Sequence, residues 1–257
     1  MTSDFWLFAA VGFAAQIVDG ALGMAYGVIC TTVLLSFGVS PANASAAVHA
    51  AKVFTGAASG VSHILYRNID WKMLALLAAG GVLGGVTGAY VLTSFPGDAV
   101  KPYVVGWLFL MGLVILYRAW RQTRPKVFSW RTPFPLGLIG GFFDAIGGGG
   151  WGPVVTSSLM GAGADPRKAV GTTNAAEMFM AIATSMAFLA SLASGHWKTQ
   201  GLAGLVWSLA GLIGGGVLAA PVAGWMTKTL PLRLLTWIVG FMVVALAAWQ
   251  GWALLRG

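Results

Sequence analysis

The stretches DGALGMAYG (residues 19–27) and DAIGGGGWGP (residues 144–153) stand 125 positions apart. Each interrupts an apolar block too long for one membrane span, and neither is compatible with a continuous helix, because glycine runs and proline break it. With the two stretches aligned, Asp19 falls on Asp144, Gly23 on Gly148, Tyr26 on Trp151 and Gly27 on Gly152, and further along Pro41 falls on Pro166 and Phe54 on Phe179. At a shift of 126, Trp71 and Lys72 meet Trp197 and Lys198, and near 134 Gly106 meets Gly240, so the second copy has a small insertion after Trp197. The chain is a doubled unit.

Outward from the breaks, each copy has four apolar blocks: residues 5–37, 41–66, 71–95 and 102–120, then 133–160, 166–193, 199–226 and 232–255. At 58% hydrophobic and 9% charged residues over 257 positions, this is membrane-protein composition with no room for a soluble domain. The blocks are expected to be helical throughout, since hydrocarbon tolerates little else. Ser40-Pro41 and Asp165-Pro166 each place a cap before a proline at the first helical position. The expected organisation is a first repeat over residues 1–121, a basic cytoplasmic linker over 122–132 and a second repeat over 133–257. The start lacks a basic n-region and a cleavage site, so no removable signal peptide is expected.

Loop charge selects the topology. If every block spans once, nine basic residues fall on one side and five on the other. If each first block is instead a broken, re-entrant hairpin, one side gathers eleven (Arg67, Lys72, five from Arg118 to Arg131, Arg167, Lys168, Lys228 and Arg233), against Lys101, Lys198 and Arg256. The second split obeys the positive-inside rule better. It leaves an odd number of crossings per copy, so the copies are expected to be inverted repeats, each a broken hairpin plus three spanning helices, with both termini periplasmic. The net charge of +8 is thereby topogenic, and nucleic acid is not an expected partner.

In the second block of the first copy, Ser45, His49, Lys52, Gly56 and Ser59 share one helix face. Lys52 lies about 16 Å in from Pro41, near the middle of a bilayer. The matched face in the second copy is Val170, Asn174, Glu177, Ala181 and Thr184, so His49 pairs with Asn174 and Lys52 with Glu177. Ionisable groups at that depth mark a site or pair structurally, and both readings of Lys52 and Glu177 stand at this point. Helices restarting at the breaks offer unpaired N–H groups and a positive dipole end to an anion. This nominates Gly23, Gly27, Gly148, Gly149, Gly150, Trp151 and Gly152 as substrate contacts with Lys52, His49 and Asn174. The bland alternative is close helix crossing. Asp19 and Asp144 either cap the restarting helices or carry a coupling proton, capping being the simpler role. Stripes at Gly80, Gly84, Gly88 and at Gly211, Gly215, Ala219 read as packing faces, and Trp6, Trp71, Trp120, Trp197 and Trp252 as interfacial anchors.

The doubled unit, the two breaks, and the SPANASAAVHAAK and DPRKAVGTTNAAE helices that follow them resemble the TauE/SafE sulfite exporter family, also called the 4-toluene sulfonate uptake permease family. The resemblance runs over almost the whole chain. It implies transport of a small sulfur-containing anion (sulfite, sulfonate or sulfoacetate) across a bacterial cytoplasmic membrane. A single cysteine, Cys30, excludes thiol relay and multi-cysteine metal sites. No cofactor or metal is expected. An alternating-access carrier, with Glu177 or an aspartate exchanging a proton, ranks ahead of a passive facilitator. An intramembrane enzyme ranks last, because GxSxG and HExxH motifs are lacking.

Overall fold

The computed structural model describes residues 2–120, 128–198, 202–222, 225 and 232–256. All regular structure among these residues is helical. The first copy comprises α1 (Thr2–Leu22), α2 (Tyr26–Ser36), α3 (Pro41–Leu65), α4 (Trp71–Thr93) and α5 (Gly97–Trp120). The second comprises α6 (Pro133–Gly147), a π-helical turn (Trp151–Thr156) leading into α7 (Ser157–Gly161), α8 (Pro166–Ala193), α9 (Leu202–Ala219) with a 3₁₀ turn (Ala220–Val222), and α10 (Leu232–Arg256). Five of these helices are long and apolar enough to cross a membrane, and three shorter apolar ones accompany them. This is a membrane protein.

Local chemistry fixes the helix starts. Ser40 and Asp165 accept from the backbone N–H groups of Asn43 and Lys168, as the cap-and-proline pairs predict. Helix α5 departs from expectation, beginning at Gly97 and carrying Pro102 inside it rather than at its head. The carbonyl of Pro96 nucleates that helix by accepting from Ala99 and Val100, so the proline falls beyond the first turn. The expected third block of the second copy begins at Thr199, which lies outside the described residues.

Both first blocks are broken hairpins. In the first, Asp19 meets Tyr26 at the tip and the rings of Phe8 and Phe37 meet at the base, 5.6 Å apart, so α2 runs back along α1. In the second, Asp144 meets Trp151 and Gly140 meets Val155.

The copies interlace. Gly80, Gly84 and Gly88 of α4 lie successively against Phe134, Leu138 and Phe142 of α6, which runs parallel to it. Gly211 and Gly215 of α9 lie against Phe5 and Ala9 of α1 in the same sense. The glycine stripes are therefore packing faces, each receiving the first helix of the other copy. Equivalent helices instead cross antiparallel: Gly56 of α3 meets Met178 and Gly60 meets Ala175 of α8, while Gly112 of α5 meets Val243 and Gly240 of α10 meets Leu116. These contacts bring the two hairpin tips together at the centre.

Candidate functional site

Each tip is built on a glycine in the left-handed region, Gly23 at φ +66° and Gly148 at φ +64°. Asp19 Oδ1 accepts from Tyr26 N at 3.2 Å, and Asp144 Oδ1 accepts from Gly150 N at 2.7 Å and Trp151 N at 3.0 Å. Both aspartates thus cap the restarting helix. The tips are tied reciprocally: Thr31 donates to the carbonyl of Gly148 at 2.8 Å and Thr156 to that of Gly23 at 2.6 Å. Gly27 and Gly149 then face each other with no space for a Cβ, and Gly152 lies on the backbone of Met24.

The asymmetry between the copies lands on this crossing. Lys52 Nζ lies 2.8 Å from Asp144 Oδ2 and 2.9 Å from Glu177 Oε1, and His49 Nε2 lies 3.1 Å from the same Asp144 oxygen. Lys52 is only 1% exposed, so both carboxylates hold it away from water. His49 Nδ1 faces the carbonyl of Ser45 at 2.8 Å, while the Ser45 hydroxyl is spent on the carbonyl of Ala145. Both ring nitrogens therefore face oxygen atoms. Asp144 is saturated by two backbone donors, a lysine and a histidine. Glu177, among the described residues, holds only Lys52.

The interstice enclosed by Asp19, Ala25, Gly27, Lys52, Asp144, Gly149, Gly150, Gly152 and Glu177 is too narrow for a water molecule. Three carboxylates share it with one lysine, and His49 stands behind Asp144. The remaining expected site residues lie off this space. Gly23 and Gly148 form the backs of the tips. Trp151 packs on Gly81 and Met180 and donates to the carbonyl of Thr173. Asn174 accepts from Ser59 and donates to the carbonyl of Val170.

Three contacts were missed in the sequence. Thr31 and Thr156 are themselves 125 apart, so the repeat comparison contains that signal. The Trp107 indole donates to the carbonyl of Gly149 at 2.8 Å, and nothing in its sequence context distinguishes it from an interfacial tryptophan.

An open vestibule of about 830 Å³ lies at the end of the molecule holding Phe8, Phe37, Ser40, Asp98, His196 and Lys198. It shares Asn43, Trp197 and Leu205 with a narrower apolar cavity of about 200 Å³ reaching Ala50 and Phe188. The Phe188 ring lies 6.2 Å from that of His49, so the two cavities lead from one surface toward the ion cluster.

The family model described as Sulfite exporter TauE/SafE matches residues 8–249. The chain belongs to that family. It is 41% identical over 249 residues to the probable membrane transporter protein YtnM of Bacillus subtilis (strain 168), covering 94% of this chain and 81% of that protein. No solved structure matches it.

Proposed function

We propose that this TauE/SafE membrane transporter moves a small sulfur-containing anion, of the sulfite, sulfonate or sulfoacetate type, by alternating access at the crossing of the two hairpin tips, together with a proton on Glu177. The observation that carries this reading is the unequal hold on Lys52. Asp144 is fixed by every bond it can accept, whereas Glu177, among the described residues, is attached through Lys52 alone. A proton on Glu177 removes one of the two carboxylates that hold Lys52, and an oxyanion takes the vacated place beside its ammonium. Proton and anion then occupy the same state and travel in the same direction. Substrate contacts are assigned to Lys52, Gly27, Gly149, Gly150 and Gly152, with His49 behind Asp144, and coupling or ion pairing to Glu177, Asp19 and Asp144.

The copies, divided by the linker at residues 122–132, are read as inverted repeats. Antiparallel crossing of α3 with α8 and of α5 with α10 supports this, because a two-fold axis relating such pairs lies across the helices and hence in the membrane plane. The same helix directions put Arg67, Lys72, Arg118, Arg131, Arg167, Lys168 and Arg233 at one end and Lys101, Lys198 and Arg256 at the other. By the positive-inside rule the first end is cytoplasmic and both termini are periplasmic.

Sulfite flux into proteoliposomes, with and without a pH gradient, tests the mechanism. Lys52→Met is expected to abolish saturable flux. Glu177→Gln, a fixed neutral form, is expected to keep downhill flux and lose acceleration by an inward proton gradient. Wild-type flux in Lys52→Met would refute the site, and an unchanged response to the gradient in Glu177→Gln would remove Glu177 from coupling and leave a passive facilitator.

A further inference from the structure

At the basic-loop end, in the last turn of α5, Arg118 is turned inward. Its neighbours Tyr117 and Trp120 are 50% and 68% exposed, but Arg118 is partly buried, with Nη1 3.4 Å from the sulfur of Met24 and Nη2 3.8 Å from that of Met160. Thioethers are weak acceptors and carry no charge. Among the described residues no carboxylate pairs with Arg118, whereas Lys52 at the centre has two. A guanidinium drawn into a membrane protein without a counter-charge is costly, and a charge that served only to orient the chain would do so equally well extended into the interface.

Position gives this cation a use. Met24 belongs to the first tip, and its backbone lies against Gly152, which lines the central interstice. Arg118 is thus one side chain removed from the crossing of the tips, on the side opposite the vestibule. Its planar fork matches two oxygens of a sulfite or sulfonate group, as lysine does not.

We infer that Arg118 forms a second oxyanion site, where the transported anion docks at the basic-loop end before entering, or after leaving, the Lys52 site. The inference rests on the transporter reading above. A lipid phosphate offers the same chemistry, and the experiment separates the two sources.

The test is calorimetric titration of sulfite into the full-length protein in neutral detergent, free of anionic lipid. Wild type is expected to show two sites, Arg118→Met to lose one of them, and Lys52→Met the other. Arg118→Lys, which keeps the charge but not the fork, is expected to weaken its site about tenfold. In phosphatidylcholine vesicles, Arg118→Met is expected to raise the half-saturating sulfite concentration about tenfold for flux starting at the basic-loop end. Two sulfite sites surviving in Arg118→Met overturn the proposal, as does a single wild-type site indifferent to that substitution. Stabilisation by phosphatidylglycerol that disappears in Arg118→Met, without any change in sulfite binding, assigns the site to lipid and also overturns it. Loss of a site in Arg118→Met alongside unaltered binding in Lys52→Met refutes the central site and leaves this one standing. Absence of all sulfite binding to wild type overturns both.

Discussion

Thr31 and Thr156 hold the crossing of the tips with one bond given in each direction. Replacing either by valine keeps the shape and leaves a buried carbonyl unsatisfied, which costs about 1–3 kcal/mol. Thr156→Val is expected to lower the thermal midpoint more than Thr31→Val, because the Thr156 hydroxyl also lies 2.9 Å from that of Thr173. Ala25 is a strained point of the first tip at φ +105°, a region that L residues rarely adopt. Ala25→Gly is expected to stabilise the protein by about 1 kcal/mol, read as a raised midpoint. At this scale the sequence was only half legible. The pairing of Lys52 with Glu177 follows from comparing the copies, but the contact of Lys52 with Asp144 does not, because it arises when a broken hairpin folds onto α3 of the other copy. That contact changes what a charge swap would report. Lys52→Glu combined with Glu177→Lys would set a second carboxylate directly against Asp144, so its failure would say nothing of transport.

At the scale of elements, close packing of backbones at the glycine stripes adds to a buried aliphatic core. Gly215 of α9 admits no Cβ against Ala9 of α1, while adjacent Gly214 has open space. Gly215→Ala is expected to disrupt the seam, giving an aggregated profile in size-exclusion chromatography. Gly214→Ala is expected to leave the profile unchanged, helix propensity favouring alanine by about 1 kcal/mol. The helices themselves were readable because glycine, proline and capping residues punctuate each apolar block. The start of α5 was misplaced because Pro102 reads as a beginning, whereas the turn at Pro96 supplies the first accepting carbonyl. Which stripe receives which helix was not readable, since a glycine groove says how close a partner comes and not which one.

For the whole molecule, the proposed inversion predicts the side on which each loop is found. Cys30 is buried, so its replacement by alanine gives a background for single cysteines. An impermeant maleimide is expected to label Ser94→Cys from outside intact cells, and Ser129→Cys only after permeabilisation. The reverse pattern would invert the proposed orientation, and labelling of both from one side would refute the inverted arrangement. The repeat in the sequence was readable because one break recurs 125 residues on. The exchange of partners between copies was hidden, because offsets along a chain carry no information about which half lies beside which.

That exchange has a consequence for biosynthesis. When α4 emerges from the ribosome its groove at Gly80, Gly84 and Gly88 has no occupant, since α6 is not yet made, and α1 likewise waits for α9. The first copy must therefore persist in the bilayer as an unfinished intermediate, its α4 groove without its partner helix, until the second is threaded in. The two copies, expressed as separate chains, are expected to be degraded singly and to rescue one another when made together.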